Sequence, residues 1–225
     1  MSTRHCNQFE SCVRLPLLGT VLFTLVFLLG CATLPPANPN NPVAVVAVLP
    51  MVNNTNDLDG PVFVRTAVNE MVPDRYYETI SIEQIDQVLK DSMGITLGGQ
   101  LDFTNPGTGA PSPQEIGKLL GVDGLFYGTL VEFKQVITGF YNSKKVKARF
   151  KLINAKTGEI MWENEAEESR SEVNLSISGA AEAAIKKVVG TAVTKAFKAN
   201  PLKSETNSMI SKLKKTIPSG PAIKR

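Results

Sequence analysis

"VAVVAVLP", residues 43–50, is a continuous apolar run rich in β-branched side chains and stopped by Pro50. A strand with one wet face alternates apolar and polar side chains. This run does not alternate, so it reads as a strand buried on both faces. Such a strand needs helices on each side of its sheet, and that need points to an α/β fold.

The flanking sequence supplies the helices. In 60–72, Val62, Val64, Ala67, Val68 and Met71 recur at helical spacing ahead of Pro73. In 82–93, Ile82, Ile85, Val88 and Leu89 form a stripe. "RYYETIS", 75–81, reads as a short strand between them. Ser112 is placed to cap a third helix, with Pro113 at its first position, Glu115 completing a capping box and Gly121 stopping it. Ile116, Leu119 and Leu120 give that helix its apolar face. "GLFYGTLVEF", 124–133, returns as a strand, and the succession is that of an α/β domain.

Two further runs are joined by "NAKTG", 154–158. In "KVKARFKLI" the even positions Val146, Ala148, Phe150 and Leu152 are apolar, whereas Lys145, Lys147, Arg149 and Lys151 are cationic. That is a strand with one wet face. Its partner, 159–166, places Ile160 and Trp162 with the core and Glu159, Glu163 and Glu165 outside. A five-residue loop sets Arg149 opposite Glu163 and Lys147 opposite Glu165. The cationic stripe then faces its own carboxylates, which favours strand pairing over a nucleic-acid or lipid-headgroup surface. Residues 173–199 are expected to close the domain as a long amphipathic helix, with Ile177, Ala181, Ile185, Val188, Ala192 and Ala196 on its buried line. An oligomeric interface is the second reading of that small-residue face.

The segment after 200 carries Lys203, Lys212, Lys214, Lys215, Lys224 and Arg225 against Glu205 alone, although the whole chain of 225 residues has a net charge of only +3. Solvated disorder is the first reading of this basic tail. Contact with anionic phospholipid or peptidoglycan is the sharper one.

At the other end, Arg4 and Arg14 precede an apolar run, 15–29, that is shorter than the ~20 residues of a spanning helix. Leu28, Leu29, Gly30 and Cys31 match the bacterial lipobox, in which the cysteine thiol is acylated and the chain is cut before it. The competing reading is a free cysteine at the end of an ordinary signal or anchor. The lipobox reading gives residues 1–30 as a lipoprotein signal peptide, Cys31 as the lipidated residue, 31–42 as a Pro/Asn-rich tether, 43–200 as the domain and 201–225 as the tail. Several acyl chains together make a durable anchor where one is marginal. Ala32 in place of Asp implies, by resemblance to enterobacterial lipoproteins, sorting to the outer membrane.

Cys6, Cys12, Cys31 and the single histidine, His5, all lie in the first 31 residues. The body therefore holds no Ser-His-Asp or Cys-His machinery and no usual zinc site, and neither catalytic residues nor a cofactor are expected. Glu163, Glu165, Glu167 and Glu168 read as solvated charge. "NNTNDLDG", 53–60, resembles a calcium loop superficially, but the alignment puts Thr55 and Thr66 at the key carboxylate positions. "GGQLDFTNPGTG", 98–109, lacks the Lys-Ser/Thr ending of a phosphate-binding loop. Residues 93–110 read as a long surface loop and a candidate for binding.

"VAVLP" followed by Asn53 and Asn54, "LLGVDGLFYGTL" and "KLINAKTGEIMWE" together resemble periplasmic lipoproteins of the CsgG and TolB amino-terminal-domain type, in particular the bacterial lipoprotein family called domain of unknown function 799. The resemblance covers about 43–200. It implies a compact α/β domain without catalysis, in envelope export or assembly machinery, with other envelope lipoproteins or secretion components as partners and with a homo-oligomer as a further possibility. CsgG forms a pore by inserting two hairpins per subunit. Here "ITLGGQLDF" is interrupted by Gly98 and Gly99 and the 145–166 hairpin is charged outside. The expectation is therefore an accessory lipoprotein at the outer membrane facing the periplasm, with a small-ligand-binding lipoprotein as the alternative.

Overall fold

The computed structural model describes residues 35–94, 111–138, 141–173 and 200–221. The chain divides into two compact units, Met1–Pro35 and Pro36–Arg225, and every described element belongs to the second. Strand β1 (Val45–Val48) and its short continuation β2 (Val52–Asn53) are followed by helix α1 (Gly60–Met71), a 3-10 turn (Val72–Arg75), strand β3 (Glu78–Thr79) and helix α2 (Ile82–Met93). Helix α3 (Pro113–Leu120), strands β4 (Gly124–Ile137), β5 (Tyr141–Asn154) and β6 (Ile160–Val173), and helix α4 (Lys203–Lys214) complete the order. The fold is α/β: one mixed sheet flanked by helices.

The sheet runs β3-β1-β4-β5-β6, with β2 also paired to β4. β1 is parallel to both of its neighbours, whereas β4, β5 and β6 are antiparallel. β1 buries both faces, as the unbroken apolar run requires. Val46 and Val48 join Val64, Val68, Phe126, Phe150 and Leu213 on one side; Ala47 and Leu49 join Ile85, Leu89, Ile116 and Leu125 on the other. Helices α1 and α4 thus cover the first face, and α2 and α3 cover the second where it is formed by β1 and β4. No helix among the described residues is long and apolar enough to cross a membrane.

The caps follow the sequence. Ser112 Oγ accepts from Glu115 N at 3.2 Å while Ser112 N donates to Glu115 Oε2 at 2.8 Å, a reciprocal capping box. Gly121, at φ +68°, closes α3 in the left-handed conformation that only glycine adopts without strain.

Three expectations are corrected. First, the hairpin register is Arg149 opposite Glu165, Lys147 opposite Glu167 and Lys151 opposite Glu163, because the pair beside the turn, Ile153 with Ile160, is already one residue off the expected register and the pairing shifts by one more between Leu152 and Ile153. A displacement of two residues keeps every side chain on its face while changing its partner. Second, Ile160 is 51% exposed, whereas Trp162 packs edge-on against Phe126 at 6.3 Å. The irregularity falls between these two residues, so only Trp162 stays in phase with the core face. Third, the basic tail is not disordered over its described part. Leu202, Thr206, Met209, Ile210, Leu213 and Ile217 recur at helical spacing and are all buried, five of them in the first core cluster. The described helix after β6 is this one, 12 residues long.

The helix expected at 173–199 lies outside the described residues except for Val173, which ends β6. The 93–110 loop does likewise, apart from Met93 and the helix-closing Gly94.

Candidate docking surface

β4, β5 and β6 have 14 residues each, which at about 3.3 Å per residue makes an arm roughly 45 Å long. The parallel pairing Val46↔Gly124 fixes where β4 starts, beside the beginning of β1. From there β4 runs past the ends of β1 and β2 to Ile137.

On the face of β5 turned away from the first core, charges form a lattice. Lys145 bridges Glu132 at 3.1 Å and Glu167 at 3.0 Å, and Glu165 holds Lys147 at 2.7 Å and Arg149 at 2.8 Å. Lys134 joins Glu132 at 2.7 Å, and Lys151 lies 3.5 Å from Glu163. Hydrogen bonds from Lys147 and Arg149 hold the Glu165 carboxyl below its ordinary range, and those to Glu167 and Glu132 raise Lys145. Each pair is solvated and individually weak. Their combined effect is to leave the stripe nearly self-neutralised, which does not suit a polyanion.

β2 leaves β4 where Asn54 N donates to Leu130 O at 2.9 Å. Among the described residues, no strand pairs with 131–137 along that edge. The calcium-like stretch turns the chain away. Asn53 Oδ1 accepts from Thr55 N and Oγ1, Asn53 Nδ2 donates to Asp57 O, and Asp57 Oδ1 accepts from Gly60 N at 2.6 Å and Asp59 N at 3.0 Å. Its oxygens serve its own backbone and set the start of α1. Gly60 permits this approach, since a Cβ there would stand 2.8 Å from Phe133. Between this turn and the edge lies an open groove of about 480 Å³, lined by Asn54, Thr55, Asp57, Phe133 and Gln135 among others. Leu58, 86% exposed, lies in the same turn; Val136 and Ile137, the latter 66% exposed, lie farther along the strand. The sequence reading ended this strand at Phe133 and so missed the edge; the visible signal was the apolar pair Val136-Ile137 after Lys134-Gln135.

Charged groups missed from sequence serve the scaffold. Arg65, on the apolar side of α1, donates to both oxygens of Asp86 at 2.7 and 3.0 Å and to Val48 O at 2.9 Å, joining α1, α2 and β1. Burial lowers its pKa, and Asp86 pulls it back up. Asp123 joins Lys156 at 2.9 Å and accepts from Val45 N at 3.2 Å. Leu28, Leu29, Gly30 and Cys31 lie outside the described residues.

The family described as lipoprotein GNA1162-like matches residues 37–222. No curated protein matches the chain. Among solved structures, lipoprotein GNA1162 from Neisseria meningitidis is 20% identical, with 67% of this chain and 99% of that one covered and a TM-score of 0.50, a likeness of fold. The PelC dodecamer from Paraburkholderia phytofirmans is 13% identical, with 83% and 94% covered and a TM-score of 0.45. The LpoB C-terminal domain from Escherichia coli is 17% identical, with 60% and 88% covered and a TM-score of 0.39.

Proposed function

We propose, from the premise that this chain belongs to the lipoprotein GNA1162-like family, that it is a non-enzymatic accessory component of envelope assembly or export. In this reading it is acylated at Cys31, sorted to the outer membrane through Ala32 and turned toward the periplasm. The stretches "VAVLP", "LLGVDGLFYGTL" and "KLINAKTGEIMWE" support its kinship with the CsgG and TolB amino-terminal-domain type.

The observation that carries the proposal is the polarity of the domain. The chain comes into the domain at Pro36, five residues after Cys31, and Asn38 N donates to Gly220 O at 2.8 Å. Gly220 N in turn donates to Arg75 O, beside Tyr77, whose ring packs edge-on against Phe126 near the start of β4. The arm therefore leads from the tether's end of the domain to the opposite one, and its outer end presents the open β4 edge to other envelope proteins.

The test is crosslinking in cells, with a photoreactive side chain at Ile137 and, as control, at Lys90 on α2. The proposal expects Ile137 to capture other envelope lipoproteins or a secretion component, and Cys31→Ser to abolish acyl labelling and leave an unprocessed precursor. A protein that crosslinks to nothing, stays monomeric and retains a small molecule through purification would support ligand binding instead.

A further inference from the structure

We infer that the occupant of the open β4 edge is a second copy of this chain, the two arms joining antiparallel about a two-fold axis at Gln135; this rests on the reading of 131–137 as a docking edge and names what docks there. Among the described residues no strand pairs with 131–137 on the side away from β5. The stretch holds no proline, and its one cation, Lys134, is taken up by Glu132 at 2.7 Å, so two usual obstacles to edge pairing are missing.

The alternation of β4 sets which residues meet. Its pairing with β5 puts Phe133, Gln135 and Ile137 on the side of the first core, where Phe133 is buried, and Glu132, Lys134 and Val136 on the outer face. Antiparallel residues that stand opposite each other share a face, so a two-fold pairing of this strand with itself places one residue opposite its own copy. A centre at Glu132 or at Lys134 sets like charges against each other across the strands, which destabilises the pair. A centre at Phe133 runs Val136 and Ile137 over Leu130 and Thr129, whose edge β2 already occupies through Asn53 and Val52. A centre at Val136 pairs only 134–138 of the described residues. A centre at Gln135 pairs all of 132–138 with itself, about 23 Å of strand at roughly 3.3 Å per residue. It sets Glu132 opposite Thr138, Phe133 opposite Ile137 and Lys134 opposite Val136.

That register also covers what one chain leaves exposed. Ile137 is 66% exposed and Val136 45%. In the pair each Ile137 comes beside the Phe133 of the other copy, in the groove of about 480 Å³ between the edge and the turn at 54–57. Each Val136 lies against the aliphatic stem of the other copy's Lys134. The two three-stranded arms become one continuous sheet. The two-fold sends the Pro36 entries of the two domains to opposite ends of that sheet, so two copies tethered to one membrane lie along it.

The experiment is disulfide trapping in the full chain purified in detergent, with Gln135→Cys, Lys134→Cys and, as control, Lys90→Cys on α2. Directly opposite residues have Cα atoms about 4.5–5.5 Å apart, within the roughly 4.4–6.8 Å that a disulfide spans. The two copies of residue 134 stand about 8 Å apart in this register, beyond that reach. Oxidation should therefore yield at least tenfold more dimer linked through position 135 than through 134 or 90, with the link mapped by mass spectrometry so that Cys6, Cys12 and Cys31 are not counted. Ile137→Asp should raise the dimer dissociation constant in sedimentation at least tenfold, because a carboxylate replaces an apolar side chain laid against Phe133. It should leave the urea midpoint of the monomer unchanged, since Ile137 is exposed in one chain. A chain that sediments as a monomer at every concentration, equal linking at all three positions, or preferential linking through 134 would overturn the inference. Capture of a different envelope protein at Ile137 in cells, without linking through 135, would leave the docking reading standing while this inference falls; no capture at Ile137 of any kind removes the docking reading itself.

Discussion

Replacing Leu213 by alanine tests whether α4 belongs to the folding unit. Leu213 is 1% exposed and lies in the first core cluster with Met209, Ile210 and Ile217, against α1 and β6. Truncating such a leucine loses its transfer free energy and leaves a partly relaxed cavity, together about 3 kcal/mol within a range of roughly 2–5. Total stability for a domain is on the order of 5–15 kcal/mol, so the variant should fold but weakly. With a urea m-value of about 2 kcal/mol/M, the unfolding midpoint should fall by about 1.5 M at unchanged slope. Exposed Lys215→Ala should stay within about 0.5 kcal/mol of the parent. The assay is equilibrium urea unfolding followed by Trp162 fluorescence. A midpoint shift for Leu213→Ala no larger than that for Lys215→Ala would show that the helix is not docked, and the correction to the basic tail would fail with it.

The corrected register predicts a coupling of a few tenths of a kcal/mol between Arg149 and Glu165 at low salt, measured by a double-mutant cycle, and close to none between Arg149 and Glu163; the reverse pattern would restore the unshifted pairing. Gly220→Ala should destabilise measurably, because its Cβ would stand 2.5 Å from Tyr76 O, which is backbone that cannot step aside; an unchanged urea midpoint would mean that the 217–220 segment is not held. Burial pushes the Asp123 carboxyl upward, but the hydrogen bond from Lys156 and those from the backbone of Val45 and Ala44 outweigh it and hold it below its ordinary value. A depressed carboxylate contributes stability above its unfolded pKa of about 3.9, and that contribution is lost as pH falls through the lower folded value. Asp123→Asn should therefore cost stability at pH 7, with the gap to the parent narrowing as the pH falls below the unfolded value of about 3.9; a gap that does not change on acidification would show that the charge contributes nothing.

The strand at 43–50 was legible because burial on both faces removes alternation, a signal carried within eight residues. Helices α2 and α3 were legible for a similarly local reason, since Ser81, Ser112 and the glycines after them fix the ends through bonds spanning only a few residues. The faces of β5 were also readable, but the partners of Arg149 and Lys147 were not. The shift sits between Leu152 and Ile153, where no glycine or proline marks it, and the glycine turn at 158 fixes only the first pair. α4 was hidden by its own lysines: counting charge over the tail obscured the stripe through Leu202, Met209 and Leu213. The lacing of Arg75 to Ile217 joins residues 142 apart, and no local pattern in one sequence encodes it.

The two outer edges of the arm are not equivalent, and the difference bears on how a partner could approach. At β6, Lys212 on α4 donates to Glu167 O at 2.6 Å and Asn164 donates to Thr216 at 2.9 Å, so side chains from the α4 segment stand across that edge. A lysine laid over a strand edge is a common obstacle to further pairing. Along 131–137 of β4 no described side chain makes a comparable hydrogen bond to the backbone. The wall opposite is the 53–60 turn, whose polar groups are engaged with one another. A strand arriving there would meet the backbone edge of 131–137 and the apolar side chains of Val136 and Ile137 without first displacing a contact that holds a helix to the sheet. The same strand arriving at β6 would have to break the Lys212 contacts and thereby loosen α4 from the core. Partner capture in cells should therefore follow substitutions at Val136 and Ile137 without loss of stability, whereas any capture routed through β6 would fall together with the unfolding midpoint.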